Sequence, residues 1–174
     1  VFGASRGIGK SIREIAAAGE ANVIAVSRAS GVDVCDEQAV RATLRGAVEA
    51  YGRVDAVIAT AGILRTGLIA GQDYAGIDEQ IATNLRGSIV VAREAFEAMR
   101  ETGGSIALFT SSSYTRGRAR YSIYSATKAA IVNLVQAFSE EFLPFHVRIN
   151  AINPERTATP MRTVMPTPSR RSWT

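Results

Sequence analysis

Cysteine and histidine each occur once in the 174 residues of this sequence, as Cys35 and His146. A single cysteine excludes an internal disulfide and a zinc site built from cysteines. A single histidine argues against histidine-led catalytic triads and histidine-rich metal sites, so we expect no metal. The sequence has no apolar run long enough to span a bilayer and no secretory pattern at its start. We therefore expect a cytoplasmic protein that does not bind membranes.

Lysine is almost as scarce as cysteine and histidine. Only Lys10 and Lys128 are found among the 20 basic residues, and all the others are arginines. The arginines cluster at 116–120 and in the C-terminal tail, without the interleaved aromatic side chains typical of a nucleic-acid interface. We expect the tail to be a solvated basic surface, and we expect no nucleic-acid partner.

The apolar residues predict an alternation of strands and helices. Short runs rich in valine and isoleucine predict strands at 21–27, 53–60, 104–112 and 146–152. They are apolar throughout, as parallel strands covered on both faces are. Segments of helical period lie at 8–19, 36–51, 74–101 and 122–143, and the first three residues resemble the end of an earlier strand. This order predicts a single α/β domain with a doubly wound parallel sheet over 1–162, followed by an irregular tail at 163–174.

A glycine-rich loop, VFGASRGIGKSI, joins the first strand to the first helix. Its glycines, Gly3, Gly7 and Gly9, allow positive φ and let the backbone approach a ligand closely. The loop ends at a helix N-terminus, where free N–H groups and the helix dipole attract a pyrophosphate. A plain glycine-rich turn is the alternative. The strand–turn–helix context in an α/β sheet favours a dinucleotide site.

The end of the second strand indicates which dinucleotide binds. Folds that bind NAD generally place a carboxylate there for the ribose hydroxyls. Here the strand ends in Ser27 and Arg28. Arg28 can pair with a 2′-phosphate, and Arg6 in the glycine loop adds a second cation. We therefore predict NADP(H), and the alternative is that both arginines are simply exposed.

Tyr124 and Lys128 are four residues apart in a predicted helix and therefore share one face. A nearby ammonium stabilises a phenolate and lowers the pKa of a tyrosine from about 10 towards neutrality. Ser111 ends a predicted strand, where open α/β sheets bind ligands, and its hydroxyl could hold a substrate carbonyl beside Tyr124. Asn84 is a poor helix former inside a long predicted helix, which indicates either an exposed polar residue or a functional break.

Together, the glycine loop, Asn84, Ser111 and the Y-x-x-x-K spacing resemble the short-chain dehydrogenase/reductase family, over residues 1 to about 162. The resemblance implies a Rossmann-type fold and hydride transfer between a nicotinamide and a carbonyl or alcohol. It implies that Tyr124 is the acid/base, and that Lys128 lowers its pKa and holds the nicotinamide ribose. It further implies that Ser111 orients the substrate oxygen and that Asn84 anchors a proton-relay water.

The same resemblance implies a set of cofactor contacts. Asp33 matches an adenine-contacting aspartate of the family, and the T-A-G sequence at 60–62 matches a turn beside the ribose. The cofactor-binding residues implied in this way are Gly3, Ser5, Arg6, Gly7, Ile8, Gly9, Ser27, Arg28, Asp33, Val34, Ala61, Gly62, Tyr124, Lys128, Pro154, Thr157 and Thr159.

The sequence departs from the family pattern at four positions. Phe2 stands where a threonine usually precedes the first glycine, and Thr60 replaces the asparagine of N-A-G. Glu155 replaces a glycine after the sixth strand, and Thr157 replaces an aliphatic residue beside the nicotinamide. These changes affect the local cofactor geometry more than the class of reaction.

Two regions are shorter than the family pattern. Arg28 lies so close to Asp33 that we expect the second crossover helix to be short or absent. Family members also continue with a substrate-covering segment and a seventh strand. We therefore expect the C-terminal strand to be lacking from this sequence.

The segment between Ser111 and Tyr124 bears on the substrate. We assign Arg116 and Arg118 as substrate contacts, because arginine matches phosphate geometry. We also assign Tyr121 to packing against the substrate or a neighbouring subunit. A solvated loop or a subunit contact is the alternative. The segments SSSYTRGRARYS and INPERTATPMR are similar to reductase domains associated with cytidylyltransferases, in which ribulose 5-phosphate is reduced to ribitol 5-phosphate.

Three interpretations of function remain open. The protein reduces a sugar or polyol phosphate such as ribulose 5-phosphate, or it is a 3-oxoacyl-thioester or general ketone reductase. The third interpretation is a non-catalytic NADP-binding regulator or scaffold, and the intact Ser111, Tyr124 and Lys128 set counts against it. The resemblance also implies a homodimer or homotetramer that pairs through 74–101 and 122–143.

Overall fold

Helices and strands alternate along the chain, as expected for an α/β domain. The computed structural model describes residues 1–155 and 157–161. Its helices are α1 (Gly7–Ala18), α2 (Glu37–Tyr51), α3 (Tyr74–Ile81), α4 (Gly87–Met99) and α5 (Ser122–Phe142). Its strands are β1 (Ala56–Ala59), β2 (Gly104–Phe109) and β3 (Val147–Ile152). The tail predicted at 163–174 lies outside the described residues.

Local sequence explains where the helices begin and end. Asp36 precedes α2, and its carboxylate accepts hydrogen bonds from the N–H groups of Gln38 (2.9 Å) and Ala39 (3.1 Å). Asp73 caps α3 in the same way, because it accepts from the N–H of Gly76. Capping of this kind satisfies N–H groups that have no partner inside the helix. The left-handed backbone of Gly52 then ends α2.

The sheet is parallel and its order reverses at the N-terminal segment. β1, β2 and β3 are neighbours in that order. Phe2 forms a bridge to Ala59 on one side and to Val26 on the other. The chain therefore crosses outward from Phe2 in both directions, which confirms the predicted doubly wound arrangement. Ligands of such folds bind at the carboxyl edge of the sheet where the order reverses, here between Phe2 and β1.

The strand predicted at 21–27 is not a regular strand. Its only bridge is at Val26, whose N–H donates to the carbonyl of Val1 and whose carbonyl accepts from the N–H of Gly3. The pairing with Phe2 is an isolated bridge and not a ladder. The second crossover helix is absent, as expected, and a single 3₁₀ turn, Arg28–Ser30, takes its place.

The long helix predicted at 74–101 is interrupted by a π turn at Ala82–Arg86. The N–H of Gly87 donates to the carbonyl of Ala82, five residues earlier. Asn84 lies inside this turn and is fully buried. The alternative of an exposed polar residue is therefore wrong, and the predicted break is present. Short π segments of this kind are frequent at functional sites.

The hydrophobic core lies between the sheet and the helices packed on it. Its least exposed side chains come from α2, α4, α5 and all three strands, so each element contributes to one continuous cluster. Among them are Val40, Val91, Met99, Ile106, Leu108, Ile131 and Val147. This shared core places the carboxyl ends of the strands in fixed positions relative to α4 and α5.

Candidate active site

The glycine loop is tied to the end of β1 by Thr60. The backbone N–H of Thr60 donates to the carbonyl of Phe2 (2.9 Å), and its hydroxyl contacts the carbonyls of Phe2 (3.0 Å) and Gly3 (3.2 Å). Thr60 is the residue that departs from the N-A-G pattern. Its hydroxyl can still hold the loop, because a single donor reaches both carbonyl oxygens.

The glycines of the loop leave a cradle that a side chain would fill. A Cβ atom at Gly9 would lie 2.3 Å from Thr60 Oγ1 and 2.4 Å from the carbonyl oxygen of Gly3. A Cβ at Gly3 would lie 2.5 Å from the nitrogen of Ala61, and Gly3 has a φ of +88°. No side chain caps the start of α1, so its first N–H groups remain available to an anion. This geometry fits the pyrophosphate of a dinucleotide.

A cavity of about 670 Å³ runs from this cradle along the carboxyl edge of the sheet. Its volume is in the range of small-ligand sites, about 300–1,000 Å³. Of the predicted cofactor-binding residues, Thr157 alone does not line it. The predicted residues that do are Gly3, Ser5, Arg6, Gly7, Ile8, Gly9, Ser27, Arg28, Asp33, Val34, Ala61, Gly62, Tyr124, Lys128, Pro154 and Thr159. The structure therefore brings together residues from both halves of the sequence.

Asn84 and Gln80 hold the loop that follows β1. The amide of Asn84 accepts from the N–H of Ile63 (2.8 Å) and donates to the carbonyl of Ile63 (2.9 Å). One turn earlier, Gln80 Oε1 accepts from the N–H of Arg65 (2.7 Å). Both side chains are fully buried. The pair therefore fixes the backbone on one wall of the cavity, much as a neighbouring strand would.

The main chain of Asn84 bears on the predicted water site. Its carbonyl accepts a 2.8 Å hydrogen bond from the hydroxyl of Ser88. Its amide also donates to the hydroxyl of Thr127 at 3.4 Å, and Thr127 in turn donates to the carbonyl of Tyr124. Asn84 is thus connected to the helix that carries Tyr124 through a single side chain. The role of Asn84 in proton relay stays a prediction.

Tyr124 lines the cavity, and Ser111, which is not among the lining residues, forms a hydrogen bond with its phenol. Tyr124 is 7% exposed, and burial raises the pKa of its phenol. A hydrogen bond with Ser111 opposes this effect, while the nearby Tyr121 adds to it. The lowered phenol pKa that sequence reasoning assigned to Lys128 is therefore absent from the chain alone. The reason is that desolvation of the phenol raises its pKa more than the hydrogen bond with Ser111 lowers it.

Lys128 is the most deeply buried charged group at the site. It is 4% exposed, and its Nζ atom donates a 2.7 Å hydrogen bond to the carbonyl of Phe109. Burial lowers its pKa from 10.5 to about 8. Its Nζ lies 5.8 Å from the centre of the Tyr124 ring. The hydroxyl of Thr110 donates to the carbonyl of Lys128 (2.9 Å), so the end of β2 holds both ends of this residue.

The residues assigned to the substrate lie outside the cavity lining. Arg116 and Arg118 are exposed, and neither forms an ion pair with a carboxylate among the described residues. Tyr121 is half-buried beside Tyr124. The carbonyl of Arg120 accepts from the N–H of Gly67 (3.0 Å), which joins this loop to the loop after β1. Their contact with substrate stays a prediction.

Several residues at the cavity were missed by sequence reasoning. Thr110, Arg65 and Glu79 all line it. Thr110 carries a weak signal, because it is polar and follows directly after an apolar strand. Arg65 and Glu79 carry none, since exposed charges in a loop and on a helix are common. The π turn places α3 beside the loop after β1, and no spacing rule anticipates that contact.

Within the residues that the structure describes, no helix is both long and apolar enough to cross a bilayer, and no cluster of acidic, cysteine or histidine side chains could hold a metal ion. A glycine cradle at the switch point, together with a buried lysine and tyrosine and a half-buried serine, defines a dinucleotide-dependent oxidoreductase site. The description of the family model that matches residues 27–169 is short chain dehydrogenase. The chain belongs to this family and is an oxidoreductase of that type.

Relatives and solved structures agree with this assignment. The chain is 42% identical over 163 residues to a bifunctional ribulose 5-phosphate reductase/CDP-ribitol pyrophosphorylase from Haemophilus influenzae, covering 94% of this chain and 34% of that protein. It is 30% identical to a mouse 3-oxoacyl-[acyl-carrier-protein] reductase, covering 92% of this chain and 75% of that protein. The chain thus spans about a third of the Haemophilus protein.

Among solved structures, a 3-ketoacyl-(acyl-carrier-protein) reductase from Brucella melitensis, complexed with NADH, matches with a TM-score of 0.87 at 25% identity. That match covers 94% of this chain and 77% of the other. A short-chain dehydrogenase from Streptomyces avermitilis matches with a TM-score of 0.81 at 28% identity, covering 91% and 66%.

Proposed function

We propose that the protein uses NADP(H) to reduce the carbonyl group of a phosphorylated sugar such as ribulose 5-phosphate. The observation that carries this proposal is that Tyr124 and the buried Lys128 line the same cavity as the glycine cradle, with Ser111 hydrogen-bonded to Tyr124. The Haemophilus relative supports the choice of substrate.

NADP(H) is proposed over NAD(H) because of the charges at the adenosine end of the cavity. Ser27, Arg28 and Arg6 line it there. Arg28 is more than half exposed, so its guanidinium is accessible to a ligand. A guanidinium can bind a phosphate through two parallel hydrogen bonds. Asp33 also lines the cavity, but its carboxylate already accepts the N–H of Cys35 at 2.8 Å.

The bound dinucleotide would supply the hydride. The remaining chemistry belongs to the chain. Tyr124 donates a proton to the carbonyl oxygen, and its raised pKa keeps the phenol protonated at neutral pH. Ser111 orients the same oxygen through its hydroxyl. Lys128 uses one N–H for Phe109 and has two further donors, which can hold the ribose of the nicotinamide.

The phosphate of the substrate is assigned to Arg116 and Arg118. Both are exposed in the loop that runs from the 3₁₀ turn Ser112–Tyr114 to α5. Because neither is neutralised by a carboxylate of the described chain, they give this loop a net positive charge. The hydrogen bond between Arg120 and Gly67 supports the loop beside the wall held by Asn84.

A 3-oxoacyl-thioester reductase is the second candidate. It is favoured by the mouse relative and by the Brucella structure. In that case the exposed arginines would contact an acidic carrier protein rather than a phosphate. A non-catalytic NADP-binding scaffold would have no use for the paired Tyr124 and Ser111.

One assay separates these functions. Oxidation of NADPH and of NADH is followed with ribulose 5-phosphate, an acetoacetyl thioester and a simple ketone. We expect turnover with NADPH and ribulose 5-phosphate, and a loss of at least about 10²-fold in Tyr124→Phe. Full activity in Tyr124→Phe would disprove the mechanism. Turnover of the thioester alone would establish the second candidate.

We also propose a homodimer or homotetramer. Phe96 of α4 stacks on Phe142 of α5 with ring centres 4.3 Å apart, and Phe138 stacks on Phe142 at 5.2 Å. Phe96 and Phe138 are half-buried, so part of this aromatic cluster remains for a second subunit. The mass of the protein in solution, measured by light scattering, tests the proposal.

A further inference from the structure

Three charged side chains form a chain across the cavity. Glu79 of α3 contacts Arg65 of the loop after β1, where its Oε2 accepts from Nε at 2.9 Å and also from Nη2. Its other oxygen, Oε1, lies 3.7 Å from Nη1 of Arg28. All three residues line the cavity. Arg28 follows the extended segment around Val26, and Arg65 follows β1. The three side chains therefore connect the segments on either side of Phe2.

Glu79 is the carboxylate that contacts two of the three arginines lining this cavity, Arg28 and Arg65. Among the described residues, the lining contains one other carboxylate, Asp33, which accepts the backbone N–H of Cys35. Arg65 is bound firmly because its backbone is held by Gln80 and its guanidinium by Glu79. Arg28 is bound weakly, because the 3.7 Å separation is beyond hydrogen-bond distance. Of the two arginines that contact Glu79, Arg28 is therefore the one that a ligand can separate from it.

We propose that Glu79 determines cofactor specificity because its carboxylate competes with the 2′-phosphate of the dinucleotide for binding to Arg28. This inference rests on the proposed use of NADP(H). A 2′-phosphate carries more charge and more acceptor oxygens than a carboxylate, so it displaces Glu79 from Arg28. A ribose with a free 2′-hydroxyl cannot do so. The ion pair therefore reduces the affinity for the 2′-phosphorylated dinucleotide, and the Glu79 carboxylate also repels the 2′-phosphate directly.

Removal of this carboxylate should therefore improve binding selectively. In Glu79→Gln, Arg28 is released and the repulsion of the phosphate is gone. The apparent dissociation constant is the intrinsic one divided by the fraction of molecules in which Arg28 is free, so it falls as that fraction rises. Exposed ion pairs have strengths that correspond to about 1.4-fold to 5-fold in an equilibrium constant. We expect adenosine 2′,5′-bisphosphate and NADPH to bind about threefold to tenfold more tightly, the repulsion adding to the ion pair.

The experiment is a set of calorimetric titrations of the full chain. Adenosine 2′,5′-bisphosphate is compared with 5′-AMP, and NADPH with NADH, because each pair differs only by the 2′-phosphate. Glu79→Gln should tighten the phosphorylated ligand of each pair more than its partner. The difference should become smaller in an Arg28→Ala background, because the ion-pair part of the gain is lost and only the direct repulsion remains, and a double-mutant cycle measures that coupling. Asp78→Asn is the matched control, since it removes the same charge from the neighbouring exposed position of α3.

The outcomes distinguish the inference from the proposed function. An equal change for both ligands of a pair, or no change, overturns the role of Glu79. A gain that persists at about 1 M salt, where charges are screened beyond ~3 Å, also overturns it. The preference of the wild-type protein for NADPH or NADH separately tests the proposal that it uses NADP(H). If the wild type prefers NADH and Glu79→Gln shifts the ratio towards NADPH, the cofactor proposal fails while the role of Glu79 stands.

Discussion

The ammonium of Lys128 donates to the carbonyl oxygen of Phe109 at 2.7 Å, in a position where the lysine is 4% exposed. One neutral acceptor does not compensate the desolvation of a full charge, and the pKa of Lys128 is accordingly lowered to about 8. The residue proposed to hold the nicotinamide ribose is thus a source of instability in the chain.

Lys128→Met should therefore stabilise the fold while it abolishes activity. The lowered pKa corresponds to a gain of up to about 3 kcal/mol at pH 7. The gain should be present below pH 8, where the buried lysine is charged, and should shrink between pH 8 and pH 10.5 as the folded protein releases the proton first. Urea denaturation at pH 7 and at pH 9.5 checks both statements. A gain that grows with pH would contradict the assigned burial penalty.

Gly9→Ala should prevent dinucleotide binding and destabilise the chain. The added methyl group would meet Thr60 Oγ1 at 2.3 Å and the carbonyl of Gly3 at 2.4 Å, and the second contact is with backbone that cannot move aside. Gly46→Ala is the matched control, because nothing lies within 4 Å of its added Cβ in α2. That control should raise stability by about 0.5–1 kcal/mol. Thermal unfolding and NADPH titration of both variants give the comparison.

Asn84→Ala should cost about 2–3 kcal/mol of stability, because it leaves the half-buried N–H and carbonyl of Ile63 without partners. Asn84→Asp should cost at least as much, since its second oxygen would face the carbonyl of Ile63. Asn133→Ala on the exposed face of α5 should be close to neutral. The denaturation midpoints of the three variants test this prediction. Equal midpoints for all three would contradict the conclusion that Asn84 holds the backbone of Ile63.

Acid should destabilise the contact between α2 and α4. Arg41 binds both carboxylate oxygens of Glu94, at 2.9 and 3.1 Å, and this contact is the main cause that lowers the pKa of Glu94 below 4.5. A depressed folded pKa gives stability that is present above the unfolded value and lost as pH falls through the folded one. Stability measured from pH 6 to pH 3 should fall less steeply in Glu94→Gln. A parallel fall in both proteins would count against this ion pair.

Much of the fold was predictable because its signals are local. Apolar runs located β1, β2 and β3 to within a few residues, and capping residues such as Asp36 and Asp73 agree with the predicted starts of α2 and α3. The prediction of a regular strand at 21–27 was wrong because a strand depends on its partner, and Val26 pairs with Phe2 only through an isolated bridge.

The candidate site was predictable where its chemistry requires residue types and spacings that rarely occur together. A lysine in an arginine-rich chain, four residues after a tyrosine, carries information that a single glutamate such as Glu79 on a helix does not. The raised pKa of Tyr124 could not be obtained from spacing, because it depends on how completely the phenol is desolvated. Thr157 failed to line the cavity, and no local rule indicates why.

The π turn at Ala82–Arg86 sets the rotational phase of everything that follows it. Each residue of an α-helix turns the chain by about 100°, so one extra residue shifts the whole of α4 by that angle relative to α3. Deleting one residue of the turn would turn Asn84 away from Ile63, or turn Val91, Ala95 and Met99 out of the core. The extra residue of the π turn therefore positions both Asn84 and the core residues of α4. Deleting one residue of the turn should disrupt the candidate site and the packing of α4 together.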